Sequence, residues 1–134
     1  MPQEFVGKVK ETLEPLRKIM DGMSLLREST PQGLDYALSF GERLSALVLS
    51  YLLKARGVSA SFVDARTWLR TDEHFGNARP NWEETQRNVH ALWTTWAHVS
   101  VHTGFIGSTS DGRTTTLGRN GSDYSATLLG SALC

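Results

Sequence analysis

Apolar residues recur every three or four positions at the start of the chain: Phe5, Val9, Leu13, Leu16, Met20 and Met23. That spacing predicts an amphipathic helix over 5–26. Pro15 lies inside it, and a kink or a break is expected there, because proline lacks an N–H and crowds the preceding turn. A Pro31-Gln32-Gly33 turn follows. Leu34, Ala37, Leu38 and the run from Leu44 to Leu53 predict a second helix over 34–56, apolar on more than one side and so deeply packed. Gly57 suits its C′ position, and Lys54 and Arg56 complement the dipole of its last turn. Ala60 to Asp64 reads as a short buried strand. Helix, glycine stop and strand in succession are the pattern of a βαβ-type sheet protein.

The second half is punctuated differently. Thr71 to Pro80 is polar and irregular, and Asn81 with Glu84 resembles a capping box opening a helix over 82–95. Its face is aromatic, with Trp82, Val89, Leu92, Trp93 and Trp96. Val99, Val101, Thr103 and Phe105 alternate, which predicts a strand over 98–106. Asp111-Gly112 is a hairpin signal, with a return strand over 113–117. A loop from Gly118 to Asp123 leads into a last helix over 123–133, for which Asp123 or Ser122 is the expected cap. The pattern as a whole is α/β.

Composition narrows the reading. At 134 residues the chain is one domain or part of one. Fourteen Lys and Arg balance fourteen Asp and Glu, so no global field favours nucleic acid or an anionic membrane. In that neutral background the tryptophans read as core rather than as a base-stacking platform. The single cysteine, Cys134, excludes an intrachain disulfide and any multi-cysteine metal site. No apolar run approaches the roughly 18–20 residues of a membrane span. The opening Met1-Pro2-Gln3-Glu4 is unlike a signal peptide, so a cytoplasmic chain is expected.

Two stretches carry candidate chemistry. In Gly118-Arg119-Asn120-Gly121-Ser122-Asp123 the glycines permit close backbone approach to a ligand, and a helix N-terminus attracts phosphate or carboxylate. Arg119 adds a planar fork suited to either anion, and Asp123 a carboxylate for an ammonium or a cation. The same residues also suit a plain strand-to-helix turn with a capping aspartate. In Ser39-Phe40-Gly41-Glu42-Arg43-Leu44-Ser45, Glu42 is either a surface group or a buried partner for a positive ligand. Gly7-Lys8 lacks the remainder of a phosphate loop. His98 and His102, four apart in a strand, cannot share a tetrahedral metal, and with His74 and His90 no zinc pattern results.

Three motifs together resemble the aspartokinases of the amino acid kinase family: Ser39 to Ser45, Thr103-Gly104-Phe105-Ile106-Gly107, and the long run from Gly112 to Ala126. Phe62-Val63-Asp64-Ala65-Arg66, Arg70-Thr71-Asp72 and Phe75-Gly76 resemble the lysine-sensitive or bifunctional branch. The resemblance covers essentially the whole chain. It implies a three-layer αβα sandwich and ATP-dependent phosphorylation of the β-carboxylate of L-aspartate, the entry to lysine, threonine and methionine. It implies MgATP and L-aspartate as ligands and leaves open a homo-oligomer for the parent enzyme. By resemblance, Glu42 would meet the substrate ammonium and Arg119 its α-carboxylate. Asp123 would organise charge around the transferring phosphoryl. Ser122 and Gly121 would shape the loop floor, and Gly118 and Asn120 would supply loop backbone.

The departures are equally specific. The family's Lys-Phe-Gly-Gly-Thr-Ser phosphate loop has no counterpart before Phe5, and no lysine follows Lys54. Its Thr-Asp strand and Asp-Pro-Arg segment, which hold ATP, and its regulatory modules have no counterpart either. The expectation is a single partial catalytic domain over 1–134, inactive in isolation. The alternatives are another amino acid kinase, of acetylglutamate or glutamate type, or a non-catalytic fragment that associates with a partner.

Overall fold

The structure is a computed structural model describing residues 3–134. Helices α1 (Gln3–Leu26) and α2 (Pro31–Ala55) precede strand β1 (Ala60–Val63). Helix α3 (Trp82–Leu92), strands β2 (Val99–His102), β3 (Ile106–Ser108) and β4 (Thr114–Thr116), and helix α4 (Gly121–Leu133) follow. β1 and β2 are parallel, with Ala60 opposite Val99 and Val63 opposite His102. β3 and β4 form the antiparallel hairpin, with Ile106 opposite Thr116. α1 packs on α2, and α2 packs on β1, β2 and β4, while α3 packs on α4 and α4 on β3. Strands thus lie between two pairs of helices, the expected αβα layering.

Several local signals act as the sequence suggests. Gly57 takes φ +80° and completes a Schellman stop, its N–H donating to Lys54 O (3.0 Å) and that of Val58 to Leu53 O (3.0 Å). Asn81 Oδ1 accepts from Glu84 N (3.2 Å) to open α3. The reciprocal half of the capping box is absent, because Asn81 N instead donates to Arg70 O (2.8 Å).

Other expectations are corrected. α1 runs unbroken through Pro15; Glu11, whose carbonyl loses its partner there, is exposed, so water can satisfy it. α2 begins at Pro31 rather than Leu34, because Thr30 Oγ1 caps Gly33 N (3.0 Å) and proline at the first helical position forfeits no bond. α2 is not packed all round: Leu34, Leu38, Leu49 and Leu52 remain exposed although α1 and the strands cover the rest. The end of the helix over 82–95 is a 3-10 turn at Trp93–Thr95. Of the tryptophans only Trp68 is fully buried, and Trp82 and Trp93 are exposed.

The strand expected over 98–106 is two strands. Thr103 ends the parallel pairing, its N–H donating to Val63 O (3.1 Å) while its Oγ1 accepts from Ala65 N (2.8 Å). Phe105 then takes φ +68°, which turns the chain out of one sheet and into the other. The return strand is shorter than expected at both ends.

The strands are held by two kinds of packing. Towards α3 and α4 lies an apolar core of Val63, Trp68, Leu69, Val89, Ile106, Leu117 and Ala132, with Leu128 and Leu129 against it. Each large side chain buried there contributes roughly 1.5–3 kcal/mol. The three threonines of β4 are buried too, each with its hydroxyl hydrogen-bonded. Thr114 Oγ1 accepts from Arg66 Nη1 (2.9 Å), Thr115 Oγ1 bonds Thr71 Oγ1 (2.7 Å), and Thr116 Oγ1 donates to Asp35 Oδ1 (2.8 Å). β3 also bonds the segment after the 3-10 turn Ala65–Thr67: Thr71 N to Ser108 O (2.9 Å) and Ser108 N to Leu69 O (3.0 Å).

That contact leaves no room on Gly107, where a Cβ would lie 2.9 Å from Leu69 O. Gly107→Ala is expected to destabilise the fold by roughly 1–3 kcal/mol in urea unfolding. Gly41→Ala, mid-helix in α2 with nothing within 4 Å of the new methyl, should stabilise it by up to about 1 kcal/mol.

Candidate active site

A cleft of about 360 Å³ opens where β2 ends and α4 begins, between Glu42, His102, Gly104, Ser122 and Ser125, among others. The carboxyl ends of parallel strands, facing a helix N-terminus, are where open α/β sheets bind ligands. Glu42 reaches it from α2, whose buried stripe runs through Asp35, Ser39, Ala46 and Ser50. Residues three and four apart share a helix face, so Glu42 continues that stripe and is half-buried at the cleft wall. Ser122 faces it from the first turn of α4, close enough to Gly104 that a Cβ at 104 would lie 3.0 Å from the serine hydroxyl.

The loop from Gly118 to Asp123 is held by backbone conformation. Gly118 takes φ +74° and packs so tightly that a Cβ would lie 2.7 Å from Asn77 Oδ1. Asn120 takes φ 59° and ψ 22°, a left-handed turn that lets its carbonyl accept from Tyr124 N (3.0 Å). Gly121 is buried, and a Cβ there would lie 2.7 Å from the Phe105 ring and 3.0 Å from Leu117.

This corrects the expected cap. α4 begins at Gly121, and Asn120 occupies the cap position without a side-chain hydrogen bond. Asp123 is in the first turn, where a carboxylate complements the positive helix end. The left-handed Asn120 starts the helix two residues earlier than a Ser122 cap would allow, and three earlier than an Asp123 cap. The structure therefore joins Glu42 and Ser122 in one cleft, while Arg119 and Asp123 are exposed beside it and do not line it.

Two further groups, one in the cleft and one away from it, have surroundings that the sequence did not reveal. His102 closes the floor, its ring meeting Trp96 edge-on with centroids 4.6 Å apart. Trp68 Nε1–H donates to its Nδ1 (3.1 Å), so the proton is on Nε2, which donates to Ser100 Oγ (2.9 Å). Burial pushes its pKa down to about 4, leaving a neutral imidazole. Asp35, fully buried on α2, accepts from Gly76 N (2.8 Å), Thr116 N (2.9 Å) and Thr116 Oγ1 (2.8 Å). An isolated aspartate in a helix carries no sequence signal for such a role.

Arg43, the neighbour of Glu42, faces a separate cleft with Lys8, Tyr51, Lys54 and Asp64. Asp64 pairs with Arg66 at 2.6 Å and lies 3.7 Å from Arg43. Of the remaining histidines, exposed His74 pairs with half-buried Asp72, and His90 bonds Ala132 O. Among the described residues no group of three or more His, Cys, Asp or Glu is placed to hold a metal ion, and no helix is long and apolar enough to cross a membrane.

Comparison with known proteins gives the family. The family model described as "Amino acid kinase family" matches residues 4–133. Lysine-sensitive aspartokinase 3 of Escherichia coli K12 is 35% identical over 127 residues, covering 90% of this chain and 28% of that protein. Chloroplastic aspartokinase 1 of Arabidopsis thaliana is 36% identical over 126 residues, covering 90% and 22%. The crystal structure of E. coli aspartokinase III in complex with aspartate and ADP (R-state) matches with a TM-score of 0.91 and 33% identity, over 99% of this chain and 30% of that one. The chain spans less than a third of the length of these relatives.

His102 makes the fold pH-sensitive. Its folded pKa of about 4 lies below the unfolded value of 6.5, so above pH 6.5 neither state binds the proton and nothing is lost. As pH falls from 6.5 towards 4 the unfolded state gains a proton that the folded state does not, and stability drops; below 4 the loss is complete. The loss is expected to be on the order of 2 kcal/mol. Denaturant midpoints from pH 7 to 4 check it: the wild type should lose more than His102→Phe, and parallel profiles would refute the assignment.

Proposed function

The chain belongs to the amino acid kinase family, and on that premise we propose that it is part of a cytoplasmic aspartokinase and forms the aspartate side of its active site. The reaction is attack of an L-aspartate β-carboxylate oxygen on the γ-phosphorus of ATP, breaking the bond to ADP and giving 4-phospho-L-aspartate. It is the entry step to lysine, threonine and methionine. The observation that carries the reading is the shared cleft: Glu42 and Ser122, far apart in sequence, line one cavity at the carboxyl end of β2.

Each residue has a role that suits its chemistry. Glu42, half-buried, receives the substrate ammonium, where a carboxylate gains most from a cation. Arg119 clamps the α-carboxylate with its planar fork. Asp123, in the first turn of α4, organises charge near the transferring group. Ser122 and Gly121 form the floor, and Gly118 and Asn120 hold the loop backbone open towards the substrate. Phosphoryl transfer depends on positioning and charge neutralisation, so no side-chain nucleophile is needed. Magnesium arrives with the nucleotide as part of the substrate and neutralises its phosphates. Of the four lysines, Lys8 and Lys54 line the separate cleft of Arg43, and none of the four lines the cleft of Glu42 and Ser122; the cation at the transferring phosphate is assigned to a group outside these residues. Residues 1–134 are thus one partial catalytic domain.

In a coupled assay of ATP conversion to ADP, the 134-residue chain alone is expected to show no aspartate-dependent turnover; turnover would overturn the assignment of the phosphate lysine elsewhere. L-Aspartate binding measured by NMR titration should persist, and Arg119→Ala should weaken it at least roughly tenfold. Unchanged affinity in that variant would remove Arg119 from the site.

A further inference from the structure

We propose that Asp35 is a positioning residue for the loop from Gly118 to Asp123, and that α2 sets the distance between Glu42 and that loop. The proposal rests on the functional reading above in taking this loop to be the one that meets aspartate. Asp35 and Glu42 are seven residues apart, two helical turns, and so lie on one face of α2 about 10 Å apart along its axis. The helix delivers Glu42 to the cleft and the Asp35 carboxylate to the far end of the loop.

The connection is continuous. Asp35 Oδ2 accepts from Gly76 N and Thr116 N, and Oδ1 from Thr116 Oγ1. Thr116 O in turn accepts from Ala78 N (2.9 Å), so the turn at 76–78 and the end of β4 are bound to the same carboxylate and to each other. Gly118 is seated on that turn: a Cβ there would lie 2.7 Å from Asn77 Oδ1 and 3.1 Å from Gly76 O. Arg119 follows at once. Charge-assisted bonds to a buried carboxylate are short and strong, and without it two backbone N–H groups lose their acceptor. The loop would then lose the turn that fixes its first residue.

The test uses the whole chain and two variants. Asp35→Ala removes all three bonds. Asp35→Asn keeps them, since its amide oxygen accepts from both N–H groups and its NH2 donates to the Thr116 hydroxyl. In amide hydrogen exchange, Asp35→Ala should accelerate Leu117 and Gly121, which are bonded to Phe105 O and Gly118 O, at least roughly tenfold. Val99 and Thr103, bonded to Ser59 O and Val63 O, should keep their protection. L-Aspartate affinity should fall at least roughly tenfold in Asp35→Ala and stay within about threefold in Asp35→Asn.

Unchanged exchange at Leu117 and Gly121 would overturn the proposal, as would an acceleration that spreads equally to Val99 and Thr103. A wild-type chain that does not bind aspartate defeats the functional reading alone, and the exchange comparison still decides the role of Asp35. If Asp35→Ala does not fold, Thr116→Val, which removes one of the three bonds, carries the same comparison. Acceleration confined to Leu117 and Gly121 supports the proposal, and none, or a uniform one, rejects it.

Discussion

Three donors converge on one buried carboxylate, and much of the molecule is arranged around that requirement. An ionised aspartate with 1% of its surface exposed is costly unless its oxygens are met. Asp35 is met by a backbone N–H from the turn at 76–78, and by a backbone N–H and a hydroxyl from β4. Satisfying it fixes the rotation of α2 about its own axis. Once that rotation is set, Ser39, Glu42, Ala46 and Ser50 face the strands, and Leu34, Leu38, Leu49 and Leu52 face outward. The orientation of Glu42 is a consequence of the same constraint.

Two kinds of packing hold the strands. On the side of α3 and α4, Trp68, Leu69, Val89 and Ile106 bury apolar surface, which is strong but tolerant in geometry. Elsewhere a threonine hydroxyl pairs with another hydroxyl or with a carboxylate at 2.7–2.8 Å, which is directional and intolerant of displacement. Two of the three non-glycine residues with positive φ among the described residues lie beside the cleft. Phe105 and Asn120 are non-glycine residues with φ of 68° and 59°, conformations that cost of order 1–3 kcal/mol each. Phe105 is held in place by its N–H bond to Ser125 Oγ (3.2 Å) and by Leu117 N donating to its carbonyl (2.9 Å). Strain next to the cleft is stabilised by the element that forms the cleft wall.

Local signals were legible wherever the structure's reason was local. Gly57 stops α2, Asn81 opens α3 and Asp111-Gly112 turns the hairpin because each needs only its own few neighbours. The site was legible in part for the same reason: the glycines and Asn120 mark a loop that only permissive backbone can form. Where a contact from elsewhere in the chain intervened, the reading failed. Thr103 and Phe105 continue an alternating pattern, yet Val63 O, Ala65 N and Ser125 Oγ pull the chain off it. Asp123 has the chemistry of a cap, but the left-handed Asn120 starts the helix ahead of it. His102 sits in an ordinary strand pattern, and its neutral state comes from Trp68, Trp96 and burial that no spacing encodes.

The order of helices and strands, the glycine loop and the chemical types at Glu42, Arg119, Ser122 and Asp123 were determined by the sequence alone. They follow from hydrophobic period, backbone permissiveness and functional-group chemistry, each a property of a short stretch of chain. Tertiary structure alone decided which of those groups share a cleft, and that Glu42 and Ser122 do while Arg119 and Asp123 stand beside it. It also decided that Asp35 is the buried anchor rather than a surface charge. The energy of a buried carboxylate depends on donors brought from Gly76 and Thr116, and those donors are near it only once the chain has folded.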